Sequence, residues 1–186
     1  MPELQRQEDD HKRQNEKSEL LKSSMEKLKE RGESHLRDRY GFSSDFLAKV
    51  QSQERAMELC EKAMETLADD YVEALVQFKE ATEATHALEA LEKGEALWQG
   101  EASIIRYFDK EGGEAQFLNG IREQTFVVLQ DRLETSADTC TQHPTPENVA
   151  LCLAILSVMD SVLGEMGVPP VSPERERLRD IARAFV

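Results

Sequence analysis

Proline and glycine are scarce in this chain, six and nine among 186 residues. So few breakers disfavour a turn-rich β sandwich and leave room for long helices. Cysteine is scarce too: Cys60, Cys140 and Cys152. An odd, sparse set without C-x-x-C spells no disulfide framework and suits free thiols in a reducing compartment. Positive charge is in short supply, with 23 Lys+Arg against 37 Asp+Glu, a net charge of −14. That balance argues against nucleic-acid binding, where phosphates need a positive field, and against docking on anionic lipid. Long apolar runs are missing as well. The most apolar stretch, Val149 to Val158, is soon interrupted by Asp160 and falls short of the roughly 20 residues a membrane span needs. Met1 to Asp10 is polar and acid-rich, without the apolar centre of a secretory signal. These absences together predict a cytoplasmic protein with no membrane insertion.

Charge divides what is present into three parts. Residues 1–40 carry 10 basic and 10 acidic side chains, residues 41–95 carry 5 and 13, and residues 96–186 carry 8 and 14. The first part is a charged arm, helical or partly disordered. Its apolar anchors are one short stripe, Leu20, Leu21, Met25 and Leu28, with Leu36 beyond. Strong helix formers fill it up to Gly32, and its composition also suits a tail that folds on a partner.

The second part carries the clearest pattern. Val50, Met57, Met64, Tyr71, Phe78 and Thr85 recur every seven residues, as do Phe46, Gln53, Cys60, Leu67, Ala74, Ala81 and Leu88. Together they read as the a and d positions of six heptads. No Gly or Pro lies between Ser43 and Lys93, so the spacing predicts one long helix, ~75 Å at 1.5 Å per residue for about 50 residues. Leu47 and Leu75 at e, with Ala63 and Leu91 at g, make the stripe wider than a two-stranded seam and favour packing among several helices. Phe46, Val50, Met57, Met64, Leu67, Tyr71, Leu75, Phe78 and Leu88 are the candidate partner-binding residues of this seam.

In the third part Gly94 and Gly100 predict a bend. A short helix with Ile104, Ile105 and Phe108 inward follows, then a turn at Glu111-Gly112-Gly113. A helix from about Ala115 to Glu134 comes next, then a polar loop from Ser136 to Pro144. Thr145-Pro146-Glu147 is an N-cap, a proline at the first helical position and a first-turn acid. The helix it opens is apolar around most of its circumference to about Leu163, as for the central member of a bundle. Ser172-Pro173-Glu174 repeats the capping logic before a last helix bearing Leu178, Ile181 and Phe185.

Constellations for catalysis or metal binding are thin. Glu83 and His86 form one E-x-x-H, where a di-iron bundle needs two such pairs and two further glutamates. Cys140 and His143 form C-x-x-H with Cys152 nine residues on, and the second pair of a zinc site is missing. Glu65, Asp69, Asp70 and Glu73 are either a docking surface for a basic partner or a solvated face. Trp98, beside the expected bend, is either a core anchor or an interface residue. The expected fold is therefore all-α, a long coiled-coil-like helix leading into a compact C-terminal helical bundle. The expected function is a non-catalytic adaptor or scaffold that binds a protein partner or a second copy through its helices, with no cofactor and no metal. The alternative is a small acidic chaperone or regulator of a secreted or aggregation-prone client.

Overall fold

The computed structural model describes residues 4–8, 26–27, 29–109 and 112–185. Among them the protein is all-helical, with no strand. The stripe Leu20, Leu21, Met25 and Leu28 lies outside the described residues. Helix α1 covers residues 29–40. It ends at Gly41, whose φ of +77° is open to glycine at little cost and whose N–H returns to Arg37 O at 2.9 Å. A 3₁₀ turn, Ser44–Lys49, buries Leu47. Helix α2, Gln53–Thr66, is capped by Ser52, whose side chain accepts from Arg55 N–H. A π turn, Leu67–Tyr71, runs directly into α3, Val72–Glu80. Helices α4, Ala84–Phe108, α5, Ala115–Gln142, α6, Pro146–Glu165, and α7, Pro173–Arg183, follow.

The single helix expected through residues 42–93 is thus divided, although no glycine or proline interrupts it. The π turn is the informative break. Leu67 to Ala74 and Tyr71 to Phe78 are seven residues apart, but the buried positions Leu59 and Leu67, Ala63 and Tyr71, Thr66 and Ala74 are eight apart. One extra residue in the ladder turns α2 by about 100° relative to a continuous helix, since each residue advances 360/3.6 degrees. Upstream of the turn the expected seam residues therefore lose the interior to their neighbours. Leu59 is fully buried, whereas Met57 is 57% exposed and Met64 and Cys60 are half-buried. A second break at Ala81-Thr82-Glu83 separates α3 from α4 and lets α4 fold back along α3 and α2.

Helix α4 is the spine. It packs on α2, α3 and α6, and its two halves serve two apolar clusters. One gathers Phe78, Leu91, Leu129, Ile155, Leu156, Val162 and Leu178 from α3 to α7. The other gathers Leu36, Leu47, Leu59, Leu67, Trp98, Ile104 and Leu118 from α1 to the start of α5. The bend expected at Gly94 and Gly100 is absent, because α4 runs through both. These glycines serve close approach instead. A Cβ on Gly100 would lie 2.8 Å from His35 Cδ2 and 3.1 Å from Gly32 O, and one on Gly32 would lie 2.5 Å from Gln99 Cβ. Helix α1 therefore crosses α4 glycine on glycine. Helix α5 extends to Gln142, through most of the segment expected as a loop, and the α5–α6 connection shrinks to residues 143–145.

The α6 cap is as the sequence predicts: Thr145 Oγ1 accepts from Asn148 N–H, with Pro146 in the first turn. By length and composition α6 could cross a membrane, its most apolar 18-residue window having a mean hydropathy of 1.5. In this fold it packs on α4, α5 and α7, and its Asp160 binds Arg175 of α7 through two contacts of 2.9 and 3.1 Å.

Two glycine substitutions, one at the crossing and one on an open face of α5, are expected to act with opposite signs. Gly32→Ala is expected to destabilise by up to about 2 kcal/mol, the ~1–3 of overpacking less the ~1 that alanine gains inside a helix. Gly120→Ala, with nothing within 4 Å of the added methyl, is expected to stabilise by about 0.5–1 kcal/mol. Urea denaturation of both variants provides the comparison.

Candidate functional site

The shift in α2 places apolar side chains on the outside. The 3₁₀ turn and its exit, the first turns of α2 and the C-terminal end of α4 enclose a groove of about 610 Å³. Val50, Met57, Cys60, Tyr107 and Phe108 form its apolar lining, with Asp109 and Glu114 beside them. Met57 and Tyr107 are 57% and 46% exposed. Tyr107 and Phe108 meet edge to face at 5.1 Å. Phe46, at 36% exposure, stacks on Phe42 at 4.7 Å, and Phe42 on Tyr40 at 5.2 Å. The acidic side of the groove is fixed by a turn in which Asp109 Oδ2 accepts from Glu114 N–H at 3.0 Å. Burial pushes the Cys60 thiol up from its ordinary value, and the negative charges of Glu114 and Asp109 push it further.

The helices that bear the groove are fixed by buried ionic contacts. Arg122 of α5 is 1% exposed. Its Nη1 and Nη2 donate to Glu95 Oε1 and Oε2 at 2.7 and 3.0 Å, and its Nε and Nη2 to Glu165 Oε2 and Oε1 at 2.7 and 3.1 Å. The remaining Nη1 hydrogen goes to Tyr71 Oη at 3.1 Å. All five guanidinium donors are thus used. Tyr71 then donates to Thr125 Oγ1 at 2.7 Å, because the Thr125 hydroxyl hydrogen is committed to Ile121 O. The guanidinium lies 4.1 Å from the centre of the Trp98 ring, and Trp98 Nε1–H donates to Glu165 Oε1. Trp98 is fully buried, a core anchor. Arg106, half-exposed, supplies the second positive charge at 3.4 Å from Glu165. Burial pushes the Glu165 carboxyl up, but Arg122, Arg106 and the Trp98 N–H together outweigh it and hold the pKa below the ordinary carboxylate value. Burial raises the Tyr71 hydroxyl to about 12. Among the described residues every member has a partner, and the cluster presents no open donor or nucleophile.

A second buried carboxylate ties α1 to α4. Glu101, fully buried, takes His35 Nε2 at 3.0 Å, Arg39 Nε at 3.0 Å and the Tyr40 hydroxyl at 2.6 Å. Arg39 continues to Thr66 Oγ1 at 2.6 Å and so reaches α2.

The nine seam residues are dispersed by the fold. Leu67, Tyr71 and Phe78 are buried in the chain's own interior. Met64, Leu75 and Leu88 are half-buried against the two apolar clusters. Phe46 lies at the surface, and only Val50 and Met57 line the groove. Tyr107, Phe108, Asp109 and Glu114 carry no seven-residue signal and were not singled out from sequence as a partner site. Glu83 and His86 are exposed and 3.5 Å apart. Cys140 and Cys152 are buried free thiols. Among the described residues no three His, Cys, Asp or Glu side chains gather as a metal site.

Removing the central cation tests how much these contacts hold. Arg122→Met leaves Glu95 buried without its partner and is expected to cost about 3–5 kcal/mol at neutral pH. The pH dependence follows from Glu165. Its carboxyl has a lower pKa folded than unfolded, so its stabilisation is present above the unfolded value and is lost as pH falls through the folded one. Urea midpoints measured from pH 7 down to 3 should fall less steeply for Glu165→Gln than for the native chain.

Comparison with family models, with curated proteins and with solved structures finds no match to this chain, and the functional reading therefore rests on the groove and its charge.

Proposed function

We propose that this protein is a non-catalytic interaction subunit whose groove receives a basic amphipathic helix of a partner protein. The observation that carries the reading is the joining of apolar side chains, exposed Met57 and Tyr107 with half-buried Val50 and Phe108, to an acidic border of Asp109 and Glu114 in one groove. An amphipathic helix seats its apolar face in such a groove, with anchors a turn apart. The charge of the whole chain, −14, favours a basic partner by steering its approach and disfavours an acidic one. Methionine suits such a surface because its flexible thioether adapts to different side chains. Three free thiols support a cytoplasmic setting, where disulfides are rare.

Self-association through the residual seam is the narrower form of the adaptor reading. Phe46 and its stacked neighbours Phe42 and Tyr40 are the aromatic surface it would use. The client-holding alternative draws on the same groove and differs in its readout, suppression of a client's aggregation.

A designed peptide of leucine and lysine that forms an amphipathic helix, and its glutamate counterpart, separate these readings in calorimetric titrations of the full chain. The lysine peptide is expected to bind about tenfold tighter or more, a difference of ~1.4 kcal/mol, and to weaken as salt rises. Met57→Glu with Tyr107→Glu should abolish that binding with helix content unchanged. Equal affinity for the two peptides, or binding indifferent to both substitutions, would overturn the proposal. Light scattering over a concentration series reports self-association in the same samples.

A further inference from the structure

Where α3 gives way to α4 the chain forms a second, polar groove, of about 420 Å³, which shares no lining residue with the first. Its polar lining includes Lys79, Glu80, Thr82, Arg132, Ser136 and Asn148. Two cations against one carboxylate reverse the charge balance of the chain as a whole. Neither cation is neutralised: Arg132 and Lys79 make no ion pair among the described residues. Arg132 gives one N–H to Lys79 O at 3.3 Å and lies over the Phe78 ring, which leaves four of its five donors unused. Burial holds its pKa below the ordinary arginine value, and no neighbouring carboxylate offsets that burial.

The hydroxyls sort in an informative way. Thr135 and Thr139 return theirs to carbonyls of α5, the usual resort of a helical hydroxyl. Ser136, between them and only 7% exposed, makes no hydrogen bond among the described residues, yet it lines the groove. Its hydroxyl oxygen is not sealed in the interior but opens on the groove, so its hydrogen-bonding capacity is directed to what enters there. The exposed Thr82 hydroxyl likewise makes no hydrogen bond among the described residues. Asn148 has spent one amide hydrogen on His143 O. Ala84, the first residue of α4, borders the same space, and no side chain caps that 25-residue helix. Its amide end therefore adds partial positive charge.

We propose that this groove binds a small phosphate monoester, its dianion held between Lys79 and Arg132 and hydrogen-bonded by Ser136 and Thr82. A phosphate fits better than a carboxylate because the unused donors outnumber what two oxygens accept, and guanidinium is matched to phosphate geometry. The volume lies within the ~300–1,000 Å³ of small-molecule sites, so the ester portion has room beside Asn148.

Titration of the full chain with inorganic phosphate and with glycerol 3-phosphate, at ionic strength held constant with chloride, tests this by amide NMR. Saturable shifts at Ala84 and Ser136 are expected from both, with glycerol 3-phosphate the tighter. Arg132→Gln should weaken binding by about tenfold or more. Lys79→Gln, at an exposed position that does not threaten folding, should do the same, and Ser136→Ala should weaken it severalfold. Glu80→Gln should tighten it by removing the carboxylate that lines the groove. Shifts no larger than those from chloride, shifts unchanged by both Lys79→Gln and Arg132→Gln, or inorganic phosphate binding the tighter of the two would overturn the proposal.

Discussion

A guanidinium taken wholly out of water is the constraint around which this fold is arranged. Arg122 of α5 stays charged in the interior only because two carboxylates, a phenol and an indole face come to it from three other elements: the π turn, α4 and α6. Burying a lone cation costs several kcal/mol, and neighbours repay that only with good geometry and complete hydrogen bonding. Here the geometry is complete, with each N–H of Arg122 committed and both oxygens of Glu95 and Glu165 used. A displacement of any one helix by an ångström or two would strand a charge. The cluster thus selects one arrangement of α4, α5 and α6 among the many that apolar packing alone would tolerate.

The π turn belongs to the same constraint. It delivers Tyr71 to Arg122 and Thr125 while holding Leu67 and Phe78 in the interior on either side. Its cost is a broken seven-residue repeat, and its consequence is a surface. Turning α2 by about a quarter circle sends Leu59 and Ala63 inward and Met57 and Cys60 out to the groove beside Tyr107 and Phe108. Packing, polar satisfaction and surface chemistry are therefore coupled through one inserted residue, in keeping with the frequent appearance of π turns near functional sites.

The two grooves divide the surface by chemistry. One is apolar and acid-bordered at the far end of α4, and the other is cationic and hydroxyl-bearing at its beginning. Helix α4 links them as a continuous rod, held against α1 by Glu101 and by the crossing of Gly32 and Gly100. Any ligand that shifts the first turn of α4 acts on a body that also carries Tyr107 and Phe108.

Composition and local signals determined that the described residues are helical, where α6 and α7 begin, and that α6 is apolar around most of its circumference. Capping serines and threonines, prolines at first helical positions and an all-round apolar segment act through contacts within a few residues, so they are legible in one dimension. The seam was legible only from Leu67 to Phe78, where the helix keeps its phase. Beyond that, residues far apart in sequence decided. Gly94 and Gly100 looked like breakers, but close neighbours in space made them contact points. Arg122 sits on the same stripe as Leu118, Thr125 and Leu129, a charged residue at an apolar register, yet its partners Glu95 and Glu165 are 27 and 43 residues away. The grooves are likewise tertiary, because each joins segments separated by some fifty residues. Periodicity reports which face of a helix is apolar, but a single added residue in the ladder, held in place by a distant charge, decides which face is inside.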